Sequence, residues 1–294
     1  MNDDVFEVHR SYLMRVAYRM TSSVADAEDM VQEAYLRWCA AQQRTEIENP
    51  RPYLTRVVVR LCLDRAKSAQ ARRETYVGPW LPDPVVENPS ATESLSEDLS
   101  VALLLTLERL SPLERAAFLL HDVFDVDFGE VARTLDRSEE SCRQLAARAR
   151  AHVKEGKPRY RASREESERL AAAFAEAAAS GDAAGIARLL AEDAMLISDA
   201  GGRAPAALRP IFGSDRITRL LLGLRAKGTV PPGTRVVPAW INALPGFIFF
   251  GDSGVFQTLA IEIREEGRIG AIYVVRNPDK LRRLDESLLL PERD

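Results

Sequence analysis

The nine residues Tyr76-Val77-Gly78-Pro79-Trp80-Leu81-Pro82-Asp83-Pro84 set the strongest limit on how this chain can fold. Three prolines and a glycine in nine positions exclude a helix interior or a central strand, because proline has no amide donor and its ring fixes φ. Any helix that precedes the stretch must stop there and a new element must start beyond it. Yet the stretch carries Tyr76, Trp80 and Leu81, apolar groups that a solvated connector has no reason to hold. Prolines keep such a segment extended and so lower the entropy lost when it docks. Read alone, it is a stiff connector with unexplained aromatics, and the bland alternative is a few apolar residues lost in a loop.

Charge is segregated around this stretch. Residues 51–73 hold seven Lys/Arg against one acid, residues 74–108 hold seven Asp/Glu and no base, and residues 141–161 hold seven bases against one acid. The net charge of −4 hides this pattern. Two basic blocks on helical segments are the footprint of a polyanion partner, since each cation near a phosphate releases counterions. The bland alternative is a pair of solvated helix faces.

Before the stretch the periodicity is helical. Val24, Ala27, Val31, Ala34, Tyr35 and Trp38 recur at spacings of three and four and share one apolar face. Asp26, Asp29, Gln32 and Glu33 lie largely off that face, as a solvated surface or a docking surface for a protein. Asn49-Pro50 opens a further helix to about Arg73, with Tyr53, Leu54, Val57, Val58, Leu61 and Cys62 inward. Arg51, Arg56, Arg60, Arg65 and Lys67 are left for solvent or phosphate.

After the stretch, residues 96–110 read as a helix, and Ser111-Pro112 caps and starts a second, PLERAAFLLHDVF. A third runs from about Asp127 to Leu135. Asp136-Arg137-Ser138 then makes a turn into a basic last helix, and the pair forms a helix-turn-helix. The second helix of such a unit lies in the major groove with its first residues near base edges. Those positions are Glu140, Ser141, Arg143 and Gln144, with Arg148, Arg150 and Lys154 further along toward phosphates.

Residues 164–294 change character. Helices at about 164–179, 183–191 and 214–225 are joined by a strand at Ala194–Ser198. Runs at 234–244, 247–250, 254–265 and 267–276 follow, punctuated by Pro245-Gly246, Asp252-Ser253 and Glu266-Gly267, which read as hairpin turns. This is an α+β domain. His9, His121 and His152 all precede it, and of its acids Asp193 and Asp199 are the candidates for a general base. Three scattered cysteines make neither a disulfide framework nor a metal set, and no apolar run approaches the roughly 20 residues of a membrane span. A reduced, cytoplasmic setting without metal or cofactor is expected.

On these residues the first 155 or so resemble a group IV (extracytoplasmic-function) sigma factor of bacterial RNA polymerase. DAEDMVQEAYLRW at 26–38 looks like the family's polymerase-docking helix, NPRPYLTRVVVRLCLDRAKSAQARR at 49–73 like its minus-ten helix, and 110–153 like region 4, which reads the minus-thirty-five element. The remainder resembles a SnoaL-like domain of the nuclear transport factor 2-like superfold. YVGPWLPDP and Asn277-Pro278-Asp279-Lys280-Leu281 are marks of the subgroup that fuses the two, whereas its glycine-rich loop appears in altered form as Asp199-Ala200-Gly201-Gly202-Arg203.

The resemblance implies two all-α domains, region 2 at 1–74 and region 4 at 96–158, a linker at 75–95 and a regulatory domain at 164–294. It implies core RNA polymerase and promoter DNA as partners, and a small ligand or regulator at the C-terminal domain. Asp26, Asp29, Gln32 and Glu33 would meet polymerase. Arg51, Arg56, Arg60, Arg65, Ser141, Arg143, Gln144, Arg148 and Arg150 would meet DNA. Tyr76, Pro79, Trp80, Leu81 and Pro82 would dock near Asp199, Gly201, Gly202, Arg203, Asn277, Pro278, Asp279, Lys280 and Leu281. A one-component repressor or activator with a ligand pocket is the alternative, and an enzyme is disfavoured by the position of the histidines.

Overall fold

The computed structural model describes residues 2–44, 46–87, 100–156, 162–264 and 267–284. Of the expected stretches, 88–95 of the linker, 96–99 and 157–158 of region 4, Glu266 of the Glu266-Gly267 turn and 285–294 at the C-terminus lie outside the described residues. The chain divides into two compact units: residues 1–75 with 102–157, and residues 76–101 with 158–294.

The first unit is helical. Helices α1 (Asn2–Thr21), α2 (Val24–Gln42) and α3 (Pro50–Glu74) are followed by α4 (Val101–Glu108), α5 (Pro112–Phe118), α6 (Phe128–Leu135) and α7 (Glu139–Gly156). Ser23 begins α2 by accepting from the Asp26 amide, and Ala27, Val31, Ala34 and Trp38 are buried at the spacing the sequence implies. Leu13 and Val16 of α1 and Leu54, Val58 and Cys62 of α3, helices in contact with α2, are buried too, and removing a Val or Leu side chain from water stabilises the unit by roughly 1.5–3 kcal/mol. Ser111 and Glu114 form the reciprocal capping box of α5. The run read as one helix is not continuous. After Phe118 it passes into a π-helical turn, Leu119–Val123, and Phe124 ends it by donating its amide to the Leu119 carbonyl. The α6–α7 turn is as expected, with Asp136 left-handed and the Ser138 Oγ accepting from the Ser141 amide.

Within this unit a buried guanidinium ties α4 and α5 to the end of α1. Arg115 donates to the Leu107 carbonyl at 2.9 Å, to the Met20 carbonyl at 2.7 Å and to Glu108 at 2.9 Å, while Glu108 accepts from Ser22. A buried charge is tolerated because its donors are spent on carbonyls and a carboxylate.

In the second unit, α8 (Arg164–Ser180), α9 (Ala183–Leu189) and α10 (Ser214–Ala226) pack on one sheet of β1 (Leu190–Asp199), β2 (Ile211–Phe212), β3 (Arg235–Ile241), β4 (Leu244–Gly251), β5 (Gly254–Arg264) and β6 (Arg268–Val275). A short helix α11 (Pro278–Leu281) follows. The order is β2-β1-β6-β5-β4-β3, so β3 is an edge strand. β1 and β6 are parallel and the other pairs antiparallel. Alternate residues Leu259, Ile261 and Ile263 of β5 and Ile272 and Val274 of β6 join Phe174, Ile186 and Ile217 in the core. This is the helices-then-sheet architecture expected of a SnoaL-like domain.

One expected turn is wrong. Pro245-Gly246 lies inside β4, and the β3–β4 hairpin turns instead at Asn242-Ala243, whose φ values of 51° and 56° are those of a type I′ turn. In a two-residue hairpin the closing pair Ile241–Leu244 is hydrogen-bonded, so the next pair, Trp240–Pro245, is not. The missing proline amide therefore costs β3 nothing, and pairing with β5 begins only at Gly246. Gly246 is needed for close approach, since an added Cβ would stand 2.1 Å from the Leu259 carbonyl oxygen.

Candidate functional site

The proline-rich stretch lies on the second unit, gripped at two places. The first centres on Asp199, the last residue of β1, which is 0% exposed. One carboxylate oxygen accepts from the Tyr76 hydroxyl at 2.5 Å, and the other accepts from the Leu81 amide at 2.8 Å and from Lys280 Nζ at 2.9 Å. Lys280, on α11, also donates to the Leu81 carbonyl and lies 3.8 Å from Asp83. Its ammonium stands 4.2 Å from the centre of the Trp80 ring, in cation–π range.

Asn277 caps α11 through its side-chain oxygen, which accepts from the Asp279 amide, and spends its amide group on the Tyr76 hydroxyl at 2.7 Å. Burial and the neighbouring Asp199 push the Tyr76 hydroxyl far above its ordinary range, so it stays a donor. Gly201 and Gly202 have φ of 57° and 72°. A Cβ on Gly201 would meet Asn277 at 2.6 Å and Tyr76 at 2.9 Å, and one on Gly202 would meet Val77 at 3.1 Å. The altered loop therefore keeps the two glycines that let the peptide approach. Its Arg203 pairs with Asp279 at 3.3 Å and not with the peptide. Leu81, Pro82 and Leu281 are buried, Pro79 and Trp80 are half-buried, and Pro278 is exposed at the first position of α11.

The second grip was not foreseen. Beyond Pro84 the peptide runs along the free edge of β3. Val86 bridges Ile241 in antiparallel register, and the Glu87 amide donates to the Trp240 carbonyl at 2.9 Å. Asn242 closes the arrangement, accepting from the Val85 amide through its side chain at 2.7 Å and donating its own amide to the Val85 carbonyl at 2.8 Å. The signal available was an Asn between two β-runs, a residue that favours positive φ; Pro245-Gly246 drew the reading away from it.

The two carboxylates considered as bases are both engaged, Asp199 in this clasp and Asp193 with Arg264 at 2.8 Å. Among the described residues no cluster of His, Cys, Asp or Glu could hold a metal ion. No described helix is long and apolar enough to cross a membrane.

In the helical unit the expected DNA-facing residues have varied settings. Arg143 and Gln144 are exposed on α7 and Ser141 is half-buried. Arg143 pairs with Glu139 at 2.9 Å and lies 5.0 Å over the Phe128 ring. Arg148 pairs with Glu114 at 2.7 Å and Arg150 with Asp122 at 2.5 Å. On α3, Arg51 lies over Tyr12, Arg60 donates to the Thr134 carbonyl of α6, and the half-buried Arg56 keeps its Nε from solvent. Arg65 is not left for solvent: it pairs at 2.7 Å with Asp26, one of the expected polymerase contacts. The two carry opposite charges on adjacent helices, and pairing offsets the loss of water around each. Asp29 and Gln32 are exposed, while Glu33 pairs with Arg37. Leu36, not singled out in the sequence, is 56% exposed on the same helix.

Comparison with known proteins agrees with this geometry. The Sigma-70 region 2 family matches residues 5–72 and the Sigma-70 region 4 family residues 100–153. The ECF RNA polymerase sigma factor SigJ of Mycobacterium tuberculosis is 43% identical over 293 residues, covering 94% of this chain and 91% of the relative. The probable ECF sigma factor SigI of the same species is 33% identical, covering 94% and 93%. The crystal structure of M. tuberculosis SigJ superposes with a TM-score of 0.77 at 38% identity, covering 95% of this chain and 98% of that one. With both sigma regions in place and a relative matched along nearly its whole length, this chain belongs to the ECF RNA polymerase sigma factors.

Proposed function

We propose that this protein is a transcription initiation factor that binds core RNA polymerase, directs it to specific promoters, and is regulated by its own C-terminal domain through the linker. The exposed face of α2 with Asp29 and Gln32 meets polymerase. The basic face of α3 and the first turns of α7 meet promoter DNA. The C-terminal domain acts by binding, not catalysis, since its candidate bases are spent on the clasp and on Arg264.

The observation that carries the regulatory part is the Asp199–Lys280–Tyr76 clasp. It takes hold of the peptide that joins the two sigma regions, so the state of the C-terminal domain sets how much slack lies between them. Transcription in vitro from a cognate promoter with core polymerase tests this. Lys280→Met and Trp80→Ala should change promoter-directed transcript yield, and yields equal to that of the parent would remove the regulatory role. Co-purification with core polymerase separates this reading from that of a repressor, which would bind its operator alone.

A further inference from the structure

Residues 203–227 of the C-terminal domain hold six Lys/Arg against a single acid, Asp215, a density close to that of the two sigma-region blocks. The segment includes the edge strand β2 and helix α10. Among the described residues, Arg209, Arg216 and Lys227 have no carboxylate partner, and Arg219 donates only to the backbone carbonyl of Asp215. All four are exposed. On α10 the offsets of three, seven and eleven residues put Arg216, Arg219, Gly223 and Lys227 on one stripe. An added Cβ at Gly223 would meet nothing within 4 Å, so the middle of the stripe is open surface. Phe212, two residues before α10, is 55% exposed, and Leu208, 67% exposed, lies by Gly78 of the proline-rich peptide, where an added Cβ would meet it at 3.6 Å.

In the helical unit the exposed cations Arg143, Arg148 and Arg150 are each matched by a carboxylate. Here they are not, and Leu220, Leu221 and Leu222 pack partly buried against the core of the second unit, while Leu224 is 38% exposed. A membrane-lying helix would need a broad outward apolar face, and on α10 Leu224 is the one exposed large hydrophobic side chain. A row of unmatched cations without a broad apolar face fits a regular array of phosphates. From Arg216 to Lys227 the stripe is about 16 Å long at 1.5 Å per residue, the span of about five phosphates along one strand of duplex DNA.

We infer that the stripe Arg216–Arg219–Lys227, with the exposed Arg209 ahead of it in the chain, is a third DNA-binding surface, which holds the phosphate backbone without reading sequence. This rests on the reading that the protein works on promoter DNA, and it adds the C-terminal domain to the DNA footprint.

The test is the salt dependence of binding of the full chain to a random-sequence DNA duplex, followed by fluorescence anisotropy. Each phosphate contact contributes about 0.9 to the slope of log K against log salt. The triple variant Arg216→Ala, Arg219→Ala, Lys227→Ala should lower the slope by up to about 2.7, whereas Arg216→Lys, Arg219→Lys should retain it. Loss in the lysine variant as well would mark a structural effect and overturn the inference. So would an unchanged slope in the triple variant, with or without lost binding to phosphatidylglycerol vesicles. The double variant Arg148→Ala, Arg150→Ala, measured in parallel, separates the two readings: if it weakens binding and the triple variant does not, only the third surface fails. If the parent shows no salt-dependent DNA binding, both fail.

Discussion

At the scale of single residues, the clasp turns on one buried ion pair. Asp199 has lost all contact with water and Lys280 nearly all, with side-chain exposures of 0% and 9%. Removing one partner leaves the other charge buried and uncompensated, a change that costs about 3–5 kcal/mol. Lys280→Met should destabilise the second unit by that order, and the double change Asp199→Asn, Lys280→Met should recover much of it, both read from denaturant melts. A different group governs acid behaviour in the helical unit. Arg148, and after it Ser111, holds the Glu114 carboxyl below its ordinary range. A carboxyl depressed on folding contributes stability above its unfolded value and loses it as pH falls through the folded value. Glu114→Gln should therefore lower stability at neutral pH and flatten the loss below about pH 5, followed by helical circular dichroism. Such pairs were not legible in the sequence. Arg148 and Glu114 are 34 residues apart and Arg65 and Asp26 are 39 apart, so only the packing of helices brings them together. The loop glycines and Asn277 were marked by the family resemblance, while their backbone roles, positive φ and a helix cap, emerged only in the fold.

At the scale of elements, the peptide edge on β3 and the recognition helix each make a separable prediction. Asn242 supplies the Val85 amide with its acceptor, and its left-handed φ of 51° suits Asn better than Ala. Asn242→Ala leaves that buried amide unsatisfied at a cost of roughly 1–3 kcal/mol. Hydrogen exchange at Val85 and Glu87 should accelerate, while amides in α2 and α7 keep their protection; unaltered protection at Val85 would refute the edge pairing. On α7, Arg143 must give up Glu139 to reach a guanine. Arg143→Ala should cost roughly 1–3 kcal/mol at a preferred promoter and relax base preference, whereas a phosphate contact would weaken all sequences alike. The helices were legible because capping and apolar spacing are local, and α5 and α6 begin at or within a residue of where Ser111-Pro112 and Asp127 put them. The π turn after Phe118 and the two-residue strand β2 were not, since neither has a periodicity long enough to register.

At the scale of the whole molecule, the proline-rich peptide is at once the tether between two sigma regions and a ligand of the third domain. Its contacts belong to the second unit, while the helices it joins, α3 and α4, belong almost entirely to the first. Release of the tether from the clasp would divide the protein between a held and a free population, and any partner that needs a longer tether would draw on the second. If core polymerase is such a partner, the clasp opposes it by the free energy of docking, and each 1.4 kcal/mol taken from the clasp should tighten apparent binding by up to tenfold. Trp80→Ala removes the ring over Lys280 and leaves the Asp199 ion pair intact, so it weakens the clasp without stranding a buried charge. In a titration of core polymerase the variant should bind more tightly than the parent. The same titration with Asp29→Ala and Gln32→Ala should weaken binding, which separates the docking face from the tether. Equal affinities for Trp80→Ala and the parent would mean that polymerase accepts the tether as it is held, and the clasp would then be a structural joint with no part in regulation.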